Sequence, residues 1–172
     1  NLYIYIIRGT PMLVQILIIY FGLGQMLRPT GFRWLNIGGT FTAGTVALSL
    51  NAGAYMAEIV RGGIEAVDKG QIEAARSLGL TYGKTMKKIV LPQALRTMLP
   101  SIINQFIISI KDTSLLSVIG LTELTNVGKT IAATQSAHMM VIYCFMACYY
   151  LFICTVLAQV SKVVEKRLSY GK

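Results

Sequence analysis

The sequence predicts an all-α fold of the polytopic membrane kind, a helical bundle in a bilayer, and three observations carry that prediction. Of 172 residues, 54% are hydrophobic and only 13% are charged, where an ordinary soluble domain carries about 25% charged residues. Mean hydropathy is +0.60, and the apolar residues gather in uncharged runs of membrane-spanning length. The excess of 16 Lys and Arg over 7 Asp and Glu sits where a membrane topology places it, so it argues neither for a nucleic-acid partner nor for a soluble enzyme.

A bilayer core of about 30 Å takes roughly 20 mostly apolar residues as helix, since nothing inside it satisfies a free backbone. Four spans are expected, at about 11–27, 34–60, 93–121 and 137–161. Met12 to Leu27 is free of charge and follows the break Arg8-Gly9-Thr10-Pro11, so the first span starts near Pro11, a good first-turn residue. Trp34 to Ala57 is twenty-four residues without a charge and is the clearest start. The third span is more polar, interrupted by Arg96, Lys111 and Asp112. Thr130 to Ser161 contains no Lys, Arg, Asp or Glu, which makes the fourth span certain by length. All three cysteines, Cys144, Cys148 and Cys154, fall inside it, so they read as buried free thiols rather than a disulfide framework or zinc site.

Orientation follows from the cations, because cytoplasmic loops carry the Lys and Arg excess. The 61–92 linker and the tail, with Arg8 and Arg96, hold twelve of them, and Lys162, Lys166, Arg167 and Lys172 form the tail's share. The opposite loops hold only Arg28, Arg33 and Lys129. The linker and the C-terminus are therefore expected in the cytoplasm. Asn1 is not an initiator residue, so the start of a longer protein is expected to precede it.

The linker reads as two short helices. Asp68 can cap the first, through Gln71 to Leu78, with Gly79 as its C-terminal cap, and Thr81 can cap the second, through Lys84 to Val90. Ile72, Ala75 and Leu78 or Gly79 would share a face suited to a partner's groove, with Glu73 beside it. The order Glu73-Ala74-Ala75, three residues, Gly79, nine residues, Ile89, one residue, Leu91-Pro92 resembles the EAA loop of the membrane subunits of ATP-binding-cassette importers. Arg8-Gly9-Thr10-Pro11 with Leu13-Val14-Gln15, and Lys111-Asp112-Thr113-Ser114-Leu115, resemble the branch of that family that imports polar amino acids.

The resemblance covers nearly the whole chain. It implies a permease of the type I importer kind in a bacterial cytoplasmic (inner) membrane. Its EAA segment would be a coupling helix, with Glu73, Ala74, Ala75, Gly79, Leu91 and Pro92 as coupling residues, seated in a cleft of a cytoplasmic ATPase. It also implies a second permease copy or related permease chain, and an extracytoplasmic amino-acid-binding protein, separate or fused. That family usually has five spans, so a further one is expected before residue 1. No cofactor is expected in this chain; ATP and magnesium belong to the partner ATPase. In agreement, Gly83-Lys84-Thr85 and Gly128-Lys129-Thr130 end like a phosphate-binding loop, but Leu78 and Glu123 stand where its first glycine must be. His138 has no acidic or histidine neighbour in the sequence, so no metal site is expected.

Ionisable groups at mid-membrane depth cost about 2.5 to 3.5 kcal/mol each on insertion scales, so they face protein or a water-filled path. Asn51, Tyr55 and Glu58 share one helix face with the small-residue stripe Gly39, Ala43 and Ala47. Ser101, Gln105, Ser109 and Asp112 share another, with Asn104 and Lys111 adjacent. Asn51, Tyr55, Glu58, Asn104 and Gln105 are the candidate pathway residues for a zwitterion, and Lys111 and Asp112 the candidate gate. The competing class is a secondary transporter driven by an ion gradient through intramembrane carboxylates, for which internal repeats would argue. Neither the RGTP nor the EAA segment recurs.

Overall fold

The Arg8-Gly9-Thr10-Pro11 break divides the first apolar stretch into two arms. The structure, a computed structural model describing residues 2–169, has helix α1 (Leu2–Gly9) and α2 (Met12–Met26) meeting at 108°. Asn1 and Lys172 lie outside the described residues, as does the side chain of Arg167. Pro11 is extended, at φ −64° and ψ 139°, so it precedes the helix as its cap residue. In α2 the stretch Ile18–Leu23 widens to a π-helical turn.

The second helix starts later than expected. Trp34–Ile37 forms a 3-10 turn, and Gly38 and Gly39 take φ of +107° and +65°, a left-handed pair only glycine adopts without strain. Helix α3 is therefore Gly39–Glu65, 27 residues or about 40 Å. Of its small-residue stripe Ala43 and Ala47 are buried and Gly39 is half-buried; Ala54, outside the stripe, is buried too, and Gly44 lies against Leu116.

The linker holds one separate helix rather than two. After α4 (Lys69–Ser77), the segment expected as a second short helix runs directly into the third span, giving a 38-residue helix α5, Tyr82–Ile119. Thr81 stands at its start, but its hydroxyl caps nothing. Pro92 does not open a new helix. Met86–Val90 is a π-helical turn, and its wider ring accommodates a residue that has no N–H to give and crowds the preceding carbonyl. At its far end α5 tightens to 3-10 geometry over Thr113–Ile119. The stretch expected to be a plain loop then folds into α6 (Leu124–Thr134), followed by α7 (Met139–Ser169).

α3 packs along α5 and also carries α1, while α6 packs on α7. Two clusters hold the bundle. Ile16, Ala47, Leu116 and Ile119 join α2, α3 and the end of α5. Val67, Val90, Ala94 and Met98 join the linker to α5, with Ile59, Ile64 and Ile72 packed on them. Gly63 lets this second cluster close, since a Cβ there would stand 3.0 Å from Met98 and 3.3 Å from the Ala94 carbonyl.

By length and apolarity two helices suffice to cross a membrane, Tyr82–Ile119 and Ser136–Val163, and a third if the bent α1–α2 pair counts as one. α3, expected to have the clearest start of the four spans, is long enough but less apolar, because Gly, Ala, Ser, Thr and Asn fill the faces it turns to other helices.

Candidate functional site

The coupling segment is built by its two caps. Asp68 Oδ1 accepts the Gly70 N–H at 2.9 Å and starts α4. At the other end Leu80 N–H donates to the Ala75 carbonyl at 3.1 Å and Gly79 N–H to that of Arg76 at 3.0 Å, a Schellman pair that needs the φ of +83° found at Gly79. These bonds set which face points away. Ala75 is buried and Ile72 half-buried against the second cluster, and Gln93 Nε2 donates to the Gln71 side chain.

The Ile72 and Ala75 face, expected to dock in a partner, is thus turned onto α5, for the physical reason that Val90 and Ala94 supply an apolar surface within the same chain. Glu73, Ala74 and Gly79 are exposed, Leu78 is 84% exposed, and Leu91 and Pro92 are exposed on the adjoining turn. The outward surface is therefore a carboxylate, an alanine and a leucine. Of the expected coupling residues, all but Ala75 are exposed.

The polar residues of the spans separate into distinct sites. Asn51 is buried, its Nδ2 donating to Gln15 Oε1 at 2.9 Å. Gln15 in turn donates to the Ile7 carbonyl at 2.7 Å, the Thr10 carbonyl at 3.0 Å and the Thr10 hydroxyl at 2.9 Å. This buried amide pair ties α3 to the inside of the α1–α2 bend, so the Asn51 amide is committed to protein. Gln15 was legible only as a motif residue beside RGTP; its bonding needed the bend.

Glu58 is shared by two guanidinia. Arg8 Nη1 and Arg61 Nη2 each lie 2.8 Å from its Oε2, and Arg61 also reaches Glu65 at 2.8 Å. Hydrogen bonds to Glu58 and then to Glu65 hold Arg61 above even the usual guanidinium range. The Arg8 guanidinium also stands 5.5 Å over the Tyr55 ring, within cation–π reach. A cleft of about 480 Å³ opens here, lined by Ile4, Tyr5, Arg8, Gly9, Tyr55 and Glu58. Tyr55 and Glu58 thus meet as their spacing predicts, and the residue opposite them is Arg8, fifty positions away.

On α5, Gln105 is buried and its neighbour Asn104 exposed, as the 100° step of a helix dictates. They do not share one lining face, and neither they nor Asn51, Lys111 or Asp112 line the Arg8 cleft. Lys111 is exposed and Asp112 half-buried, and among the described residues neither makes an ion pair within 4 Å. They end the regular part of α5, where Ser114 Oγ bonds the Lys111 carbonyl at 2.7 Å and Thr113 Oγ1 the Ile110 carbonyl at 2.7 Å. Beyond them Glu123 caps α6, accepting from Asn126 N–H at 2.6 Å and Thr125 N–H at 2.8 Å, and receives Tyr150 Oη at 3.2 Å. The Glu123–Tyr150 contact carries no local sequence signal, because it joins residues 27 apart. Among the described residues no group of His, Cys, Asp or Glu is placed to hold a metal ion.

The chain has relatives among known proteins. It is 45% identical over 166 residues to the glutamine transport system permease protein GlnP of Escherichia coli K12, covering 96% of this chain and 73% of that one. It is 39% identical over 168 residues to the arginine transport system permease protein ArtQ of Bacillus subtilis, covering 98% and 73%. The fold superposes on the crystal structure of an amino acid ABC transporter with histidines at a TM-score of 0.85 and 40% identity, over 96% of this chain and 73% of that one. The methionine transporter MetNI in an inward-facing form shares the fold at a TM-score of 0.69 and 18% identity, over 94% and 72%. Residues 1–170 match one family throughout, and the chain belongs to it: the inner membrane components of binding-protein-dependent transport systems.

Proposed function

We propose that this chain is the translocation subunit of an ATP-driven importer of polar amino acids, coupled through α4 to a separate ATPase that binds the ATP and magnesium. The observation that carries the reading is the family match over residues 1–170 together with about two-fifths identity to glutamine and arginine permeases. The exposed Glu73-Ala74 and Leu78 surface supports the coupling role, since a short helix with a carboxylate and a projecting apolar side chain suits a groove. In this reading the EAA loop and C-terminus face the cytoplasm, a second permease copy or related chain completes the pathway, and an extracytoplasmic binding protein or fused domain delivers the substrate.

The pathway residues divide by where their side chains are. Tyr55 and Glu58, with Arg8, border an open cleft and are the proposed contacts of a zwitterion, a carboxylate toward Arg8 and an ammonium toward Glu58. Asn104 is exposed on α5 and can join them when a second chain faces it, whereas Gln105 and Asn51 are buried outside the cleft. Lys111 and Asp112, at the end of the regular helix, are the proposed gate. The test is uptake of labelled glutamine, glutamate, histidine, arginine and lysine into liposomes holding the chain with its ATPase. Uptake is expected only with both subunits, the binding protein and magnesium-ATP. Uptake by the chain alone, driven by an ion gradient, would overturn the reading in favour of a secondary transporter.

A further inference from the structure

The first 57 residues contain no Asp or Glu, yet Arg28 and Arg33 lie close together in them. Both line a cleft of about 540 Å³ between the end of α2 and the 27–38 loop, a volume within the usual range for ligand sites. Among the described residues neither guanidinium has a carboxylate within 4 Å. Arg28 is the first charge after the uncharged residues 12–27, and with the bent α1–α2 pair taken as one span it stands at the end of that span, beside the headgroups.

The walls of the cleft are amphiphilic. Phe32 and Trp34 meet edge to face at 5.1 Å between ring centres. Trp34 Nε1 is spent on the Tyr20 carbonyl at 3.0 Å, so the indole offers its ring and not its N–H. Phe21 is exposed at 55% and Leu35 at 83% on the rim. Two unpaired guanidinia beside exposed apolar side chains and an aromatic pair match a molecule with an anionic end and hydrocarbon behind it. A water-borne acidic protein surface would use the arginines but would leave Leu35 and Phe21 without purpose.

We propose that this cleft holds the headgroup of an anionic phospholipid, its phosphodiester between Arg28 and Arg33 and its acyl chains along Phe21 and Leu35. Guanidinium forks suit phosphate oxygens because two parallel N–H bonds fit them. The site is separate from the Arg8 cleft and does not depend on which solute is carried.

Native mass spectrometry of the intact transporter, delipidated and then given equimolar phosphatidylglycerol and phosphatidylcholine of matched acyl chains, tests it. The wild type should retain the anionic lipid over the neutral one by roughly tenfold or more, as two basic residues at headgroup depth give. Arg28→Gln/Arg33→Gln should lose that preference, each single substitution should lose part of it, and Lys87→Gln/Lys88→Gln, which removes the same charge elsewhere, should keep it. Soluble glycerol phosphate should not displace the lipid. Full preference in the double arginine variant would overturn the proposal. So would equal displacement by glycerol phosphate, or an unchanged lipid preference combined with weakened binding of an acidic extracytoplasmic partner.

Discussion

Gln15 and Asn51 show what a single polar residue does in an apolar helix. They are 5% and 6% exposed, and a buried amide left without partners costs roughly 1–3 kcal/mol. Their pairing at 2.9 Å holds the α1–α2 bend against α3, so Asn51→Ala and Gln15→Ala are expected to destabilise the solubilised transporter by that amount each. The double variant should lose much less than the sum, because each single change already breaks the shared contact. Thermal unfolding of the three variants checks this, and additive losses would show that the two side chains act separately. Tyr55→Leu, by contrast, is expected to leave stability near wild type and to weaken uptake or change selectivity among amino acids, because Tyr55 lies on the open side of the Arg8 cleft.

Two elements carry the next predictions. α6 packs on α7 through Gly128, where a Cβ would stand only 1.8 Å from Met146 Sδ and 2.9 Å from its Cγ. Gly128→Ala is therefore expected to lower stability by roughly 1–3 kcal/mol through overpacking, and Met146→Ala in the same chain should restore part of it. A denaturation series on both variants decides the point, and no effect of the alanine would mean that α6 and α7 do not pack this closely. α4 is the other element. Glu73→Lys and Leu78→Asp alter its outward face without touching the buried Ala75 side, so insertion and thermal stability should stay near wild type while ATP hydrolysis no longer drives uptake. Normal coupled transport by both would remove α4 from the coupling role. Gly79 differs in kind: the space beside it is open, so a larger residue there costs roughly 1–2 kcal/mol through its left-handed backbone rather than through a clash.

At the scale of the whole molecule, α7 has none of the most apolar window of Ser136–Val163 buried, and Phe145, Leu151 and Phe152 stand exposed along it. A helix apolar all round meets lipid or another chain, while Asn104 and Lys111 on α5 are exposed and polar. The helices of the described residues leave those polar groups unenclosed, so a pair of permease chains is expected around one route. Cysteines placed on α5 of neighbouring copies should crosslink in the assembled transporter, and a strictly monomeric active particle would overturn the pairing. The sequence by itself determined the helical membrane class, the break at Arg8 to Pro11, the start and stop of α4 at Asp68 and Gly79, and, through the EAA spacing, the resemblance to the family. All of these rest on local composition, caps and spacing, which act within a few residues. Only the tertiary structure decided that Ala75 turns inward, that Asn51 is bound to Gln15 and that Glu58 faces Arg8. It also merged the linker's second helix with the third span. The first three depend on which surface a segment distant in the chain brings near, and a contact across 36 or 50 residues leaves no periodicity to announce it; the merged helix rests on the π-helical turn at Met86–Val90, which no residue spacing marks.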